Sequence, residues 1–278
     1  MFKSILVAVD GSTHAKAAVE YGGRLAAKLG GRIEVLHVIE QRLLVGDFIT
    51  HFTEVFRRKI DRSFAEWVEH YYLEYGHGLV ERARQHCLSL GVIDCGVAVE
   101  IGKVAKQIIS YADKADLLVI GQRGETEEHE LRFLGTTAAQ VLHDVMTSAL
   151  VVQPPVREWR RALLAYDGTS AARRAMEVLG ELAVSLDLEV DVVHLIEPHK
   201  DPNCLKEAEE YLSSLPVSYE LHYLRGDTYA VILQHASEEG CDLLSMGPFT
   251  NLLSDVPALG AATETILRLS QIPTLIHR

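Results

Sequence analysis

Several features are missing or scarce in the 278-residue sequence, and each excludes a class of protein. No apolar run approaches the ~18 residues that a membrane-spanning helix needs. The first apolar run, Ile5 to Val9, is too short for the core of a signal peptide. The four cysteines are scattered without a Cys-x-x-Cys pair, so we expect reduced core residues in a cytoplasmic protein.

Positive charge is also scarce. The formal net charge is −12, from 27 Lys and Arg against 39 Asp and Glu. An extended nucleic-acid surface needs a basic face, so nucleic acid is not an expected partner. Two short basic stretches, 57–59 and 157–161, are interpreted as solvated charge on a helix and in a linker. The Gly-x-x-x-x-Gly-Lys-Ser/Thr and Gly-x-Gly-x-x-Gly motifs are both absent.

The chain contains an internal duplication. An apolar run ending in Asp-Gly occurs at Asp10 and again at Asp167, and the Val-x-His pattern is similarly repeated at His37 and His194. In each pair the two positions are 157 residues apart, and two chance similarities would not have the same separation. We therefore expect two domains, 1–153 and 162–278, with residues 154–161 as the linker.

Each half alternates short apolar runs with helical patterns, which is typical of an α/β fold with a parallel sheet covered on both faces. The halves differ between their second and third strands, where the first holds a long helical stretch at about 43–90 and the second a short helix at 203–215. Predicted strands in the first half are 4–9, 33–39, 95–100, 117–120 and 149–152. In the second half, the first two predicted strands begin near residues 163 and 191, and the other three are 218–224, 243–246 and 274–277.

The stretch from Leu117 to Gln153 carries the most specific signal. Gly121 and Gly124 follow an apolar strand, and Gly135 then opens a helical segment with two threonines. Free amide groups and the helix dipole at such a start attract an anion, so the set predicts a phosphate site. The alternative for each residue alone is structural, with glycines that make turns and a threonine that caps the helix.

This spacing resembles the nucleotide loop of the universal stress protein family, which reads Gly-x-x-Gly, nine residues, then Gly-Ser/Thr. Here Gly121 to Gly124 and Gly135-Thr136 match, with the ten residues 125–134 between them. The resemblance covers nearly the whole chain and implies two tandem, Rossmann-like domains, each with a five-stranded parallel sheet of order 3-2-1-4-5. Ligands of such sheets bind where the winding reverses, here beyond strands 1 and 4.

The resemblance further implies that the first half binds an adenine nucleotide (ATP, ADP or AMP), with or without magnesium. The adenine is expected near Ala8 and Val38, and the ribose and first phosphate near Asp10 and Gly121. Asp10 is equally suited to capping the helix that follows it. The implied cofactor-binding residues are Ala8, Asp10, Val38, Gly121, Arg123, Gly124, Gly135, Thr136 and Thr137. Arg123 is expected to reach a phosphate, whereas the loop glutamates Glu125, Glu127, Glu128 and Glu130 would repel a triphosphate unless cations offset them.

The second half departs from the motif. Asp167 is retained, but Gly247 is followed by Pro248, which has no amide hydrogen for a phosphate. Ala261 and Ala262 replace the two threonines, so no triphosphate site is expected there.

No other residue pattern identifies a metal site or a catalytic group. Glu66, His70, Glu74 and His77 are interpreted as surface side chains of one helix. No spacing marks a nucleophile or a general base, and the expectation is that the protein has no catalytic residues.

The sequence thus predicts a stress-response regulator that binds an adenine nucleotide and acts through protein association. The resemblance implies pairing through the fifth strands, between the halves or in a homodimer, and an unknown regulatory protein as partner. Slow ATP hydrolysis, adenylate formation as in other enzymes of the superfamily, and an adaptor without a functional nucleotide site remain alternatives.

Overall fold

The computed structural model describes residues 1–44, 62–127, 133–196, 204–226, 228–248 and 260–277. Ten strands within these ranges form one continuous sheet. The strands are β1 (Ser4–Ala8), β2 (Arg32–Glu40), β3 (Cys95–Gly102), β4 (Leu117–Gly121), β5 (Ser148–Val152), β6 (Arg161–Ala165), β7 (Glu189–Leu195), β8 (Tyr219–Leu224), β9 (Leu243–Met246) and β10 (Thr274–Ile276).

Helices cover both faces of the sheet. They are α1 (Thr13–Leu29), α2 (Gln41–Leu44), α3 (Arg62–Ser89), α4 (Val104–Ala112), α5 (Thr136–Asp144), α6 (Ser170–Leu186), α7 (Leu205–Ser213), α8 (Thr228–Glu238) and α9 (Ala261–Leu269), with a 3-10 turn at Glu125–Glu127. None of these described helices is both long and apolar enough to cross a membrane.

The strand order is β3-β2-β1-β4-β5-β10-β9-β6-β7-β8. Each half therefore has the predicted order 3-2-1-4-5, and all neighbours within a half are parallel. The halves meet through their fifth strands, which pair antiparallel with Leu150 opposite Leu275. The expected fifth-strand pairing is thus present within the chain, where it closes two apolar edges against each other.

Strand alternation divides the apolar side chains between two cores, one on each face of the sheet. Val7 points into the core beneath α1 and α6, whereas its neighbour Leu6 points into the core beneath α4 and α5. Because the central strands are buried on both faces, they read as continuous apolar runs. The whole of β4, Leu117–Gly121, is buried.

Several predicted bounds differ from the structure. β1 ends at Ala8 rather than Val9, β3 continues to Gly102, and β6 already begins at Arg161, which we expected in the linker. The short helix of the second half spans Leu205–Ser213, less than predicted. Within the predicted 43–90 helical stretch, residues 45–61 lie outside the described residues.

Candidate functional site

A cleft lies at the carboxyl ends of β1 and β4. β1 has β2 on one side and β4 on the other, so the winding reverses at this point. The cavity has a volume of about 360 Å³. Eight of the nine predicted site residues line it, namely Ala8, Asp10, Val38, Gly121, Arg123, Gly124, Thr136 and Thr137.

Gly135 does not line the cavity itself but packs against the loop that does. Its N–H donates to the Gln122 carbonyl oxygen at 2.9 Å. A Cβ added at Gly135 would lie 3.0 Å from Arg123 Cα and 3.1 Å from that carbonyl oxygen. A side chain at this position would therefore force the loop away from the start of α5.

Asp10 connects the end of β1 to the loop after β4. Its Oδ1 accepts from the Ser12 N–H, and its Oδ2 accepts from the Glu125 N–H, each at 3.0 Å. Ser12, not Asp10, caps α1, because Ser12 Oγ accepts from the Ala15 N–H at 2.9 Å. The capping alternative for Asp10 is therefore wrong, and Asp10 instead lines the cleft.

The start of α5 is occupied by a carboxylate of the chain itself. Gly135 holds the N-cap position without a side-chain hydrogen bond, so the capping alternative for Thr136 is also wrong. The Thr136 N–H instead donates to both carboxylate oxygens of Glu127, at 3.1 and 3.2 Å. The group that the helix start holds is therefore the carboxylate of Glu127.

Arg123 lies in the cavity wall and is buried. Its Nε donates to the Phe133 carbonyl oxygen at 3.1 Å, which ties the two ends of the loop together. Burial lowers the pKa of this guanidinium from its ordinary value, but arginine stays charged at neutral pH. Glu128, Glu130 and Arg132, also considered near the phosphates, lie outside the described residues.

At the other end of the cleft, β2 extends beyond the end of β1. The last paired residues are Ala8 and Leu36, and the Val9 N–H donates to the Leu36 carbonyl at 2.9 Å. Because backbone groups alternate along a strand, the N–H and C=O of Val38 point to the same side as those of Leu36. They face the space that β1 leaves open. Apolar side chains close this end of the cavity, namely Ala8, Val104, Ile108 and Ile120.

Some cavity residues were not among the predicted ones. His37 is buried and its Nδ1 donates to the Val9 carbonyl at 2.8 Å, as His194 Nδ1 does to the Tyr166 carbonyl at 2.9 Å. The duplicated histidine therefore fixes the end of the first strand in both halves. Tyr72 and Tyr75, from α3, also line the cavity. Only their aromatic character could have suggested them, because α3 has no counterpart of similar length among the described residues of the second half.

The corresponding region of the second half is built differently. Asp167 Oδ1 accepts from the N–H and the hydroxyl of Thr169, at 3.0 and 2.7 Å. The buried Tyr166 donates from its hydroxyl to Glu207 at 2.7 Å, and Arg173 holds the same carboxylate at 2.7 Å. The loop after Pro248, residues 249–259, lies outside the described residues.

Comparisons with known proteins identify relatives of the whole chain. The model of the universal stress protein family matches residues 1–153. Universal stress protein Slr1230 of Synechocystis sp. is 24% identical over 292 residues, covering 99% of this chain and 100% of that protein. A Thermus aquaticus protein, "Universal stress protein in QAH/OAS sulfhydrylase 3'region", is 31% identical over 158 residues, covering 55% of this chain and 100% of that protein. Among solved structures, a universal stress protein from Archaeoglobus fulgidus matches with a TM-score of 0.77 at 21% identity, over 99% of this chain and 96% of that one.

Proposed function

The chain belongs to the universal stress protein family, and we propose that the cleft above β1 and β4 binds an adenine nucleotide: ATP, ADP or AMP. The observation that carries the proposal is one cavity of about 360 Å³ with an open strand edge at one end and a helix start at the other. These two ends suit the two chemically different ends of a nucleotide.

The strand edge at Val38 suits the base. A purine presents a donor and an acceptor on one edge, and the N–H and C=O of Val38 offer the complementary pair. The side chains of Ala8, Ile108 and Ile120 line the same end of the cavity and provide apolar surface for the faces of the ring. Asp10 also lines the cleft, and its carboxylate can accept from ribose hydroxyls.

The start of α5 suits the phosphates. The amide of Thr136 already holds an anion, and Thr136 and Thr137 both line the cavity with their hydroxyl groups. Phosphate oxygens would take the position of the Glu127 carboxylate, which therefore has to swing away. Magnesium bound with the nucleotide would supply positive charge beside Glu125 and Glu127, and Asp10 is a further carboxylate that lines the cleft.

We further propose that the bound nucleotide regulates association with another protein or with a second copy of the chain. The turn Glu125–Glu127 connects the cleft to the surface, since Glu125 is exposed while its N–H is held by Asp10. Displacement of Glu127 from α5 would change the shape and charge of this turn. No residue of the cleft is assigned a catalytic role.

Isothermal titration calorimetry of ATP, ADP and AMP with magnesium tests the binding proposal. The informative variant is Gly124→Asp, because its new side chain would start 3.0 Å from Asp10 Oδ2 and add a second carboxylate to the cleft. At about 5 Å from a phosphate, one added negative charge makes the free energy of nucleotide binding less favourable by about 2–3 kcal/mol, at an effective dielectric constant near 20–30. We expect one site per chain in the wild type and at least about 30-fold weaker binding in the variant.

Ala261→Asp is the matched control, because it adds the same charge at the exposed start of α9 in the second half. It should bind as the wild type does. Circular dichroism and thermal unfolding establish that the Gly124 variant is folded. Absence of binding by the folded wild type, or equal binding by both variants, would contradict the proposed site and favour an adaptor role.

A further inference from the structure

The second half contains a group of metal-ligating side chains far from the cleft. Asp191 lies on β7, His222 on the neighbouring edge strand β8, and His235 on the helix α8. His222 pairs with Val193, two residues after Asp191, so both side chains project from the same face of the sheet. One ligand atom from each of the three residues lies within 4.8 Å of the other two.

Asp191 is unusual because it is a carboxylate with 1% exposure on the apolar face of a strand. Its described polar contacts are long: Arg161 Nη1 lies 3.4 and 3.5 Å from its two oxygens, and the Cys241 thiol donates at 3.6 Å. Arg161 makes a much shorter bond, 2.6 Å, to Glu189. A buried carboxylate is costly unless it is well paired or binds a metal.

Each of the two histidines has a buried ring nitrogen that makes no described hydrogen bond. The Nε2 atoms of His222 and His235 are both buried, and neither has a hydrogen-bond partner among the described residues. His235 is 8% exposed, and its Nε2 lies 3.9 Å from Asp191 Oδ2. The two imidazole rings are 4.5 Å apart between centroids. The unpartnered nitrogens and the buried carboxylate thus face one small volume.

We propose that Asp191, His222 and His235 form a binding site for a divalent transition metal, zinc in the first instance. Two imidazoles and one carboxylate are a ligand set that zinc accepts with its fourth position open. Bonds of 2.0–2.2 Å in a tetrahedron place neighbouring ligand atoms about 3.3–3.6 Å apart. The donors therefore need to approach one another by roughly 1 Å, which small side-chain rotations provide.

The surroundings favour a dication over an empty site. Glu220 lies 3.6 Å from His222 Nε2, and Glu239 lies 3.8 Å from Arg161, so the carboxylates around the group outnumber its one described guanidinium. His222, on the edge strand, is about one quarter exposed and provides an entry path.

The first half lacks the same group, so the site is expected once per chain. Glu34 pairs with Gly96 as Asp191 pairs with Glu220, and Ala98 occupies the position that His222 holds in the second half. A metal at this site would tie α8 to the edge of the sheet in the second half alone. This inference does not rest on nucleotide binding.

The test is a zinc titration of the full chain without an affinity tag, after removal of bound metal with a chelator. A competing chromophoric chelator reports free zinc, and cobalt(II) absorption reports the ligand geometry. We expect one zinc per chain, a tetrahedral cobalt spectrum and a higher melting temperature with zinc. His222→Ala and His235→Ala should each weaken zinc binding at least about 100-fold, more than the loss of an outer contact costs.

The Asp191→Asn variant separates loss of metal binding from misfolding, because it keeps the shape of the side chain and removes a buried charge. It should fold, as judged by circular dichroism and cooperative thermal unfolding, and lose the zinc-dependent rise in melting temperature. His143→Ala is the matched control, since it removes an exposed histidine beside Asp144. The proposal is overturned if the wild type binds no zinc, or if the folded Asp191, His222 and His235 variants bind it as tightly as the wild type.

Discussion

Replacement of Glu127 should tighten the binding of phosphate-bearing ligands. Its carboxylate receives the Thr136 N–H at 3.1 and 3.2 Å and so occupies the end of the cleft that we assign to phosphates. A bound phosphate must displace it. The displacement forfeits a helix-capping interaction worth about 1 kcal/mol, and the displaced charge then repels the phosphates by about 1 kcal/mol in a largely hydrated setting.

Glu127→Ala removes both contributions, so we expect ATP and ADP to bind about 5–30-fold more tightly to this variant. Glu127→Gln keeps an acceptor for the Thr136 N–H but loses the charge, and a smaller gain is expected. Adenosine carries no phosphate and should bind equally to all three proteins. The free Glu127→Ala protein should in turn be less stable than the wild type by about 0.5–2 kcal/mol, because α5 loses its cap.

Calorimetric titrations of adenosine, AMP, ADP and ATP measure these differences, and denaturant unfolding measures the loss of the cap. Glu125→Gln is the matched control, because it removes an equal charge from an exposed side chain of the same turn. The reasoning is refuted if Glu127→Ala binds nucleotide but holds ATP no more tightly than the wild type does. It is equally refuted if Glu125→Gln produces the same gain.

Three further predictions concern stability. Gly135→Ala should lower the free energy of unfolding by about 1–3 kcal/mol, measured by urea titration, since its Cβ would lie 3.0 Å from Arg123 Cα. Burial lowers the pKa of His277 to about 3. Between about pH 6.5 and pH 3 the unfolded chain therefore binds a proton at this histidine that the folded chain does not. The free energy of unfolding should be greatest above about pH 6.5 and decrease toward pH 3, with a shallower decrease in His277→Gln. Tyr166→Phe should lower the free energy of unfolding by about 1 kcal/mol in the same assay, because the Tyr166 hydroxyl donates to Glu207 at 2.7 Å. An unchanged free energy of unfolding would contradict that contact.

Much of the fold follows from local patterns. The apolar run at Leu117 alternates its side chains between two buried faces, and a segment of that kind has few alternatives to a central parallel strand. Because the pattern at Asp10 is repeated at Asp167, each element assigned in the first half predicts a corresponding element in the second half. The bounds of strands were less accurate, as at Val9 and Gly102, because the pairing of neighbouring strands rather than composition decides where a strand ends.

The candidate site was predictable in part. Its glycines and threonines lie in one short segment, and Gly121, Gly124, Thr136 and Thr137 line one cavity. The resemblance to a family, rather than this spacing, added Ala8, Asp10 and Val38, which line the same cavity. The role of Glu127 was not predictable, because the sequence showed a repelling carboxylate where the structure has a helix cap. Whether that side chain points at Thr136 or at solvent depends on the path of the loop backbone.

Side-chain periodicity and the 157-residue repeat suffice for the class of fold and its duplication, because both are patterns in the order of residues along the chain. The antiparallel junction of β5 with β10 and the group at Asp191, His222 and His235 depend instead on segments far apart in the chain. No spacing motif links three side chains from two strands and a helix. Their convergence is a consequence of sheet register and of the packing of α8, which only the folded chain defines.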